Sequence, residues 1–327
     1  GRGGPASAWW ERRIAVAHDV RRTLGLTQNA STTCYRLVHG EGDSLPGLVV
    51  DIYGTTAVVQ CHSVGMYRAR MEIAAAIRAV YGEHITAIYD KSSQTLPFKA
   101  NTGAVDGYLW GRAQTPQVVL EHGKQFLVNW EQGQKTGFFL DQRENRELVK
   151  RYAQGRTVLN TFCYTGGFSV YALAGGAKEV CSVDSSERAV ALATENMRLN
   201  FGDGAPHTEV AADAVEYLRD IGDRYDLIIL DPPAFAKHHK VLGNAMQGYK
   251  RLNARALSQI RPGGILFTFS CSQAVSKELF RTTVFSAAAI AGRKVRILHQ
   301  LTQPADHPIN IYHPEGEYLK GLVLYVE

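Results

Sequence analysis

An aspartate followed by two prolines, Asp231-Pro232-Pro233, comes directly after a run of apolar residues at 227–230. A continuous apolar run of this kind is typical of a strand that is buried on both faces of a parallel sheet. Because proline cannot donate a hydrogen bond to a neighbouring strand, the strand must end there. The carboxylate is therefore expected at the carboxyl end of a central strand, where open α/β sheets bind their ligands. The structural alternative is a turn in which Asp231 is a solvated cap.

A glycine pair and two further aspartates follow other predicted strands in the same half of the chain. Gly166-Gly167 comes after the strand predicted at 157–162, and glycines let a ligand approach the backbone closely. Because this turn lacks the GxGxxG pattern, it disfavours a pyrophosphate-binding dinucleotide site. Asp184 ends the next strand, where an acid suits a ribose with both hydroxyls free. Asp213 follows the third strand, where a carboxylate can accept a hydrogen bond from an adenine amino group.

The order of these features is more informative than any one of them. An aspartate at the end of a strand is most often only a helix cap. Here the glycine turn, the ribose acid, the adenine acid and Asp231-Pro232-Pro233 follow four successive predicted strands. Together they predict that the chain binds S-adenosylmethionine.

One cysteine, Cys271, ends the strand that comes next in the chain after Asp231-Pro232-Pro233. A free cysteine is most often a small buried apolar residue, which is the structural alternative here. A thiolate is also a good nucleophile once its pKa is lowered. Carbon 5 of a pyrimidine is too poor a nucleophile to take a methyl group until a thiolate has attacked carbon 6. A cysteine beside a carboxylate and a methyl donor therefore favours methylation at carbon 5, in cytosine or in uracil.

From residue 157 onward, predicted strands and helices alternate. The strands are predicted at 157–162, 179–184, 208–211, 227–230, 264–270, 295–300 and 321–326. Such alternation predicts βαβ units and a mostly parallel sheet. Because no clear helix separates the last two strands, we predict that they form an antiparallel hairpin at the edge of the sheet. The predicted fold class is α/β, with a Rossmann-like sheet of seven strands.

The earlier part of the chain has a different pattern. A helix is predicted at 9–24, with Trp10, Ile14, Ala17 and Arg21 on one face and its arginines interpreted as a solvated basic face. Further strands are predicted at 35–38, 48–53, 56–62, 85–90, 118–121 and 125–129, with a helix at 67–81 and irregular structure at 91–117. We therefore predict a basic helix and linker at 1–30, a compact α+β domain at 31–131, and the α/β domain at 132–327.

The composition is that of an ordinary soluble globular protein. Hydrophobic residues make up 45% and charged residues 20% of the chain, and no apolar run approaches the roughly 20 residues that a membrane span requires. The five cysteines form no CxxC pair, which argues against a zinc site or a disulfide framework and fits a reducing cytosol. The net charge of +5 permits an anionic partner such as nucleic acid. We expect a cytoplasmic protein that binds neither metal nor membrane.

The motifs resemble those of the bacterial and archaeal large-subunit ribosomal RNA cytosine-5 methyltransferases, over nearly the whole chain. The similar stretches are GEGDSLPGLVVD at 40–51, EHG at 121–123, QKTGFFLDQRENR at 134–146, LNTFCYTGGFSV at 159–170, VDSS at 183–186, DPPAF at 231–235, GYK at 248–250, FSCS at 269–272, ADHP at 305–308 and PEGEYLKG at 314–321. The resemblance implies 23S ribosomal RNA as substrate and a class I methyltransferase domain, preceded by a smaller domain that helps to hold RNA. It also leads us to expect that most or all of the family's N-terminal PUA domain is absent.

For the target base, the resemblance implies a role for each residue of two motifs. Cys271 is the nucleophile, and Asp231 holds or protonates the base at N3. The backbone of Pro232 and Pro233 contacts the cytosine. No motif identifies the base that removes the proton from carbon 5.

For the cofactor, the resemblance implies that Asp184 and Asp213 hold the ribose and the adenine of S-adenosylmethionine. Gln142 matches a position that reaches the cofactor in related uracil-5 enzymes, and Thr136 lies close to it in the sequence. The other cofactor residues that the resemblance implies are Phe162, Tyr164, Thr165, Gly166, Gly167, Ser185, Ala214 and Asp231.

Other functions remain open at this point. A uracil-5 or guanine-N RNA methyltransferase would share the fold, although relatives of the guanine-N kind lack the FSCS cysteine. A non-catalytic RNA-binding protein would have no need of the predicted site residues. A nucleotide-dependent oxidoreductase would need the missing GxGxxG turn. Relatives also suggest a homodimer.

Overall fold

In a computed structural model, the chain is described over residues 4–97, 103–235 and 242–327. These residues divide into two compact units. Unit 1 contains the residues up to Asp141 together with Pro304–Gly316, and unit 2 contains Gln142–Gln303 and Glu317–Glu327. The chain therefore leaves unit 1, returns to it for one short segment, and goes back to unit 2.

Unit 1 is built on a mixed sheet. In its described residues the strands follow one another in chain order: β1 (Cys34–His39), β2 (Leu48–Tyr53), β3 (Thr56–Cys61), β4 (Ala87–Asp90) and β5 (Gly107–Gly111). β2 and β3 form the predicted hairpin. β4 is parallel to β3, so the chain must cross over between them, which it does through α2 (Val64–Arg68) and α3 (Arg70–Tyr81). A separate hairpin follows, formed by β6 (Gln117–Glu121) and β7 (Lys124–Val128).

The first helix, α1 (Pro5–Thr23), buries Ile14, Ala17 and Arg21 on one face. The interpretation of its arginines as a solvated face is wrong for Arg21, which is 0% exposed. The Arg21 guanidinium donates to Asp43 Oδ2 at 2.8 Å and to the carbonyl oxygen of Asp306 at 2.8 Å. A buried charge is tolerated when it is paired and hydrogen-bonded in this way.

The structure differs from the predicted domain boundaries. The division falls after Asp141 rather than after residue 131, and Pro304–Gly316 belongs to unit 1 rather than to the α/β domain. Asp306 explains the second difference, because its Oδ2 accepts a hydrogen bond from the backbone N of Arg36 in β1 at 2.9 Å. This contact joins residues 270 positions apart, so nothing in the local sequence indicates it.

Unit 2 is an α/β unit around one sheet. Its described strands are β8 (Thr157–Thr161), β9 (Glu179–Asp184), β10 (His207–Ala211), β11 (Leu227–Leu230), β12 (Gly264–Ser270), β13 (Val295–Leu301) and β14 (Lys320–Val326). They lie in the order β10-β9-β8-β11-β12-β14-β13. β8 to β12 are parallel to one another wherever they pair, whereas β14 is antiparallel to both β12 and β13. The predicted seven-stranded, mostly parallel sheet with an antiparallel edge is confirmed within the described residues.

Helices alternate with these strands. They are α4 (Arg143–Tyr152), α5 (Gly167–Ala174), α6 (Glu187–Phe201), α7 (Ala214–Tyr217), α8 (Leu242–Gln259) and α9 (Lys277–Ala291). Every residue of β11 and β12 is buried, as expected for apolar strands that are covered on both faces. Ile228 and Leu230 of β11 share a core with Tyr249 of α8 and Phe280 of α9. This core holds the ends of β11 and β12 in place.

Several elements differ from the sequence-based prediction. β5 lies inside the stretch predicted to be irregular, and the helix predicted at 67–81 is two helices that meet at Ala69. α1 begins at Pro5 rather than near Trp9, since proline is well tolerated at the first helical position. Among the helices of the described residues, none has both the length and the apolar character needed to cross a membrane.

Candidate active site

The carboxyl ends of β8 to β12 meet at one edge of the unit 2 sheet, which we call the carboxyl edge. The strand order reverses beside β8, with β9 on one side and β11 on the other. Ligands of open α/β sheets bind at such a switch point. Thr161, the last residue of β8, pairs with Leu230, the last residue of β11. The segments that begin at Phe162 and Asp231 therefore leave the sheet side by side.

The loop at 162–167 has an unusual backbone. Phe162, Tyr164 and Gly166 have φ angles of 52°, 49° and 80°, so alternate residues are in the left-handed region. Non-glycine residues adopt this region at a cost of about 1 kcal/mol or more, and such residues cluster at ligand sites. The buried Asn196 of α6 donates from Nδ2 to the carbonyl oxygen of Thr165 at 2.8 Å. The loop is thus fixed in its strained form by helix α6.

The structure shows how the glycine pair packs, whereas its contact with a ligand stays a prediction. A Cβ atom at Gly166 would lie 2.9 Å from Cβ of Ala193 in α6, and one at Gly167 would lie 3.1 Å from Cδ of Arg146. Gly166 is therefore required by its positive φ and by the packing of the loop on α6, and Gly167 packs closely against the Arg146 side chain.

Asp184 is half-buried at the end of β9, and its carboxylate is held by two backbone amides. Oδ2 accepts a hydrogen bond from the backbone N of Tyr164 at 3.0 Å, and Oδ1 accepts one from the backbone N of Ser186 at 3.0 Å. Each carboxylate oxygen can accept a second hydrogen bond. The carboxylate is therefore oriented by the strained loop and retains acceptor capacity for two vicinal hydroxyls.

Asp213 lies at the end of the neighbouring strand, because Ala211 of β10 pairs with Asp184 of β9. It is exposed, and its Oδ1 accepts from the backbone N of Glu216 at 3.1 Å as the N-cap of α7. A cap was the structural alternative for an aspartate at a strand end, and Asp213 does fill that role. Its second carboxylate oxygen gives the site a further acceptor. Ser185 is exposed beside Asp184, and Ala214 is buried in α7.

These groups fit S-adenosylmethionine. The half of the carboxyl edge formed by β8, β9 and β10 carries a strained loop, an oriented carboxylate and an exposed carboxylate. A ribose diol and an adenine amino group are donors that match the two carboxylates, and no phosphate-binding glycine turn is needed.

Cys271 and Asp231-Pro232-Pro233 are brought together, as predicted. They follow the paired strands β12 and β11, and Sγ of Cys271 lies 4.0 Å from the carbonyl oxygen of Pro232. Pro232 is buried, whereas Asp231 is partly exposed and Pro233 is exposed. The carboxylate, the rigid backbone and the thiol therefore line one part of the carboxyl edge, formed by β11 and β12.

Cys271 differs from the other cysteines in its exposure. All five lie in the described ranges, and the four others, Cys34, Cys61, Cys163 and Cys181, are buried. Burial raises the pKa of Cys61 to about 11. Burial, with the charge of Asp184 nearby, raises the pKa of Cys163 well above its ordinary value. Those two thiols stay protonated near neutral pH and are poor nucleophiles.

Tyr249 is a site residue that the sequence reasoning missed, although it stands in the GYK motif. It comes from α8, is 0% exposed, and its hydroxyl accepts a hydrogen bond from Ser270 Oγ at 3.0 Å. Burial raises the pKa of Tyr249, and the charges of Cys271 and Asp231 raise it further, against the opposing effect of the Ser270 bond. The phenol therefore lies close to both predicted catalytic residues and stays protonated.

Lys320, in the PEGEYLKG motif, was also missed. It is the first residue of β14 and pairs with Ser270, the last residue of β12. Its side chain is 4% exposed, and Nζ donates to the carbonyl oxygen of Ser272 at 2.5 Å. The ammonium therefore lies beside the segment that contains Cys271.

Two predicted cofactor residues have other partners. Thr136 is in unit 1, where its hydroxyl donates to Asp51 Oδ2 at 2.6 Å and lies 2.7 Å from the hydroxyl oxygen of Tyr53. Gln142 is buried in unit 2, and its Oε1 accepts from Nδ2 of Asn145 at 2.7 Å. Contact of either residue with a cofactor stays a prediction.

Comparison with known proteins gives a family match and close relatives. A family model described as S-adenosylmethionine-dependent methyltransferase matches residues 36–311. The ribosomal RNA large subunit methyltransferase I of Aeromonas hydrophila is 43% identical over 318 residues, which cover 96% of this chain and 79% of that protein. The protein of the same name from Erwinia tasmaniensis is 41% identical over 319 residues, with 96% and 80% coverage.

Two solved structures are similar over the whole chain, and a third is similar over most of it. A protein from Streptococcus mutans, assigned as an S-adenosylmethionine-dependent methyltransferase, is 28% identical with a TM-score of 0.86 and covers 100% of this chain and 83% of its own. A second protein, assigned as a methyltransferase and solved in complex with SAH, is 29% identical with the same TM-score and coverage. Trm5b from Pyrococcus abyssi, at 22% identity and a TM-score of 0.63, covers 85% of this chain and 74% of its own and shares the fold.

Proposed function

Because the chain belongs to the S-adenosylmethionine-dependent methyltransferases of the ribosomal RNA large subunit methyltransferase I family, we propose that it forms 5-methylcytosine in 23S ribosomal RNA. The reaction proceeds through a covalent bond between Cys271 and carbon 6 of the base. The observation that carries the proposal is the position of Cys271 Sγ, 4.0 Å from the carbonyl oxygen of Pro232 and partly exposed. A thiol nucleophile serves methyl transfer to carbon 5, whereas a ring nitrogen is already nucleophilic and needs none.

The target base enters the site flipped out of its stack, as enzymes that modify a base require. The rigid backbone of Pro232 and Pro233 lies against the ring, since Pro233 is exposed there. The Cys271 thiolate attacks carbon 6 and forms the C–S bond, while Asp231 gives a proton to N3. The electron pair of the C5–C6 double bond then makes carbon 5 nucleophilic.

Cys271 also leaves at the end of the reaction. Once carbon 5 is methylated, it loses its proton to a base, and those electrons re-form the C5–C6 double bond. The C–S bond breaks, Cys271 departs as a thiolate, and N3 returns its proton to Asp231. Tyr249 stays protonated throughout, because burial raises its pKa, and its hydroxyl supports the charge that develops next to Cys271 and Asp231.

The cofactor lies on the β8–β10 side of the carboxyl edge in this proposal. When bound there, S-adenosylmethionine supplies an electrophilic methyl group. Asp184 accepts from the ribose hydroxyls, Asp213 accepts from the adenine, and the 162–167 loop surrounds the methionine part. Ser185 and Ala214, which follow the two aspartates in the sequence, line the cofactor site together with Gln142.

The RNA substrate is supported by the names of the relatives and by the surface of unit 1. The guanidinium of Arg70 lies 4.0 Å from the ring centroid of Tyr67, and that of Arg78 lies 4.2 Å from that of Trp110. Arginine and aromatic planes are the groups on which unpaired RNA bases stack. With the net charge of +5, they favour a role of unit 1 in holding RNA.

Replacement of the nucleophile tests the covalent mechanism. Cys271→Ala is expected to abolish methyl transfer to 23S ribosomal RNA, because carbon 5 is then never activated. Binding of S-adenosylmethionine, measured by calorimetry, should persist. Cys34→Ala, which removes a buried sulfur from unit 1, is the control and should retain activity. Full turnover by Cys271→Ala would exclude the covalent mechanism.

A trapped adduct identifies the base. RNA that carries 5-fluorocytosine has no proton to lose at carbon 5, so the bond to Cys271 should survive denaturation and appear as a protein–RNA band. The Cys271→Ala protein should give no such band. A band with 5-fluorouracil RNA and none with 5-fluorocytosine RNA would show that the target base is uracil and not cytosine. Mass mapping of 23S ribosomal RNA from cells with and without the gene then locates the nucleotide.

A further inference from the structure

Lys320 contacts the residues on both sides of Cys271 in the sequence. Its backbone pairs with Ser270, the residue before Cys271. Its Nζ donates to the carbonyl oxygen of Ser272, the residue after Cys271, at 2.5 Å. The lysine is thus tied to both neighbours of the nucleophile, from the strand that lies beside β12.

The burial of this lysine is unfavourable by itself. With 4% of the side chain exposed, the ammonium has lost most of its water, and an unpaired buried ammonium costs several kcal/mol. Burial lowers the pKa of Lys320 to about 8, against the raising effect of Cys271 first and Glu317 second. Lys320 is therefore still mostly a cation at neutral pH.

The groups near this cation indicate what it does. Glu317 forms an ion pair with the exposed Lys277 at 2.6 Å, so its charge is shared with a second lysine. The Ser272 carbonyl is a neutral acceptor. The charge that Cys271 acquires on losing its proton is a full negative charge close to the ammonium, in a site partly shielded from water.

We propose that Lys320 is a positioning residue for Cys271, whose ammonium stabilises the thiolate and whose hydrogen bond to the Ser272 carbonyl fixes the backbone that carries it. The thiol proton goes to solvent, and the lysine keeps its own proton. A phosphate-binding role is excluded by its burial. The proposal rests on the proposed function only in calling Cys271 the nucleophile.

The rate at which iodoacetamide alkylates Cys271 tests this without any RNA. The thiolate displaces iodide and forms a C–S bond, so the rate follows the thiolate fraction. Mass spectrometry of the peptide that contains Cys271 gives the rate at each pH. The four buried cysteines react slowly and are separated by their own peptides.

Three substitutions of Lys320 distinguish charge from structure. Lys320→Gln keeps a hydrogen-bond donor but loses the charge, Lys320→Arg keeps the charge, and Lys320→Met loses both. The pH midpoint of alkylation should rise by about one unit or more in the Gln and Met variants, with about tenfold slower reaction at neutral pH. The Arg variant should keep the wild-type midpoint.

Lys294→Met is the matched control, because Lys294 is exposed and lies next to Val295, at the opposite end of the sheet from Lys320. Circular dichroism and S-adenosylmethionine binding establish that each variant is folded. If Lys320→Met does not fold, the Gln and Arg variants still give the comparison. A wild-type midpoint in a folded Lys320→Gln protein would overturn the proposal.

Failure of this proposal is distinguishable from failure of the proposed function. Suppose that the alkylation midpoint shifts in Lys320→Gln and that Cys271→Ala still methylates fully. The Lys320 proposal would then be supported and the covalent mechanism contradicted. An unshifted alkylation midpoint in Lys320→Gln together with an inactive Cys271→Ala protein would contradict the Lys320 proposal and support the covalent mechanism.

Discussion

Two buried side chains set the charge balance around Cys271. Tyr249 is held neutral, because burial raises its pKa above the ordinary value. Lys320 is held close to its titration point, because burial lowers its pKa to about 8. One is therefore a neutral hydroxyl and the other a cation, and neither is marked by a residue pattern that sequence reasoning recognises as catalytic.

The pKa of Lys320 makes the stability of the protein depend on pH. Between about pH 8 and the ordinary value of 10.5, the folded protein has released a proton that the unfolded chain still binds. The free energy of unfolding should therefore rise with pH in this window, by about 2–3 kcal/mol between pH 7 and pH 10. Urea unfolding of the wild type and of Lys320→Met, followed by circular dichroism at both pH values, isolates this contribution. A difference between the two proteins that is constant with pH would contradict it.

Tyr249→Phe tests the role of the neutral hydroxyl. Removing the hydroxyl leaves Ser270 Oγ without this partner and removes a polar group next to Cys271 and Asp231. Loss of one such hydrogen bond corresponds to about 1 kcal/mol, so kcat for methyl transfer should fall several-fold to about tenfold. Tyr312→Phe is the control, since Tyr312 is 85% exposed. An unchanged kcat in Tyr249→Phe would show that the hydroxyl takes no part in the mechanism.

At the scale of elements, the proposed cofactor site includes one strained loop between β8 and α5. Phe162 and Tyr164 adopt left-handed backbone conformations, and Tyr164 in turn orients Asp184. The strand that precedes the loop, β8, was predicted from the alternation of strands and helices along the chain. The loop conformation was not predictable, since phenylalanine and tyrosine give no signal of a positive φ.

Gly166→Ala should disturb this loop in two ways. Its φ of 80° is strained for alanine, and the new Cβ would lie 2.9 Å from Cβ of Ala193. We expect a loss of about 2–3 kcal/mol in the free energy of unfolding and at least tenfold weaker S-adenosylmethionine binding by calorimetry.

Gly292→Ala separates strain from steric overlap in that experiment. Gly292 ends α9 with a φ of 67°, and a Cβ there would meet nothing within 4 Å. It should cost about 1 kcal/mol and leave cofactor affinity unchanged. Equal cofactor affinity in the two alanine variants would mean that the loop shape does not control binding.

At the scale of the whole molecule, the chain is not two consecutive domains. Pro304–Gly316 belongs to unit 1 although unit 2 strands precede and follow it. This boundary depends on the hydrogen bonds that Asp306 accepts from Arg36 and Arg21. Composition does not reveal it, because each of these residues looks like an ordinary surface charge in the sequence. The seven-stranded sheet was predictable because its strands alternate with helices along the local sequence.

The buried pair of Arg21 and Asp43 gives a test of unit 1. The four tryptophans of the sequence, Trp9, Trp10, Trp110 and Trp130, are all in unit 1, so tryptophan fluorescence reports its unfolding. Arg21→Met leaves Asp43, with 3% of its side chain exposed, without its cation. The free energy of unfolding should fall by about 3–5 kcal/mol.

Arg22→Met is the matched control for that measurement. Arg22 and Asp19 form an ion pair in which both side chains are more than half exposed. Exposed pairs contribute about 0–1 kcal/mol, so the fluorescence midpoint in urea should hardly move. Similar losses in the two variants would show that the burial of Arg21 has no energetic consequence.

The position of β14 also bears on how the protein is made. β14 is the last strand in the chain, yet it lies between β12 and β13 in the sheet. During synthesis on a ribosome, the edges of β12 and β13 that pair with β14 stay unpaired until Lys320–Val326 emerges. Unpaired strand edges promote aggregation. Lys320 is the first residue of that strand, so the cation proposed to stabilise the Cys271 thiolate reaches the site only after β13 has been synthesised. The nascent enzyme would thus acquire its reactive thiol after its sheet is complete.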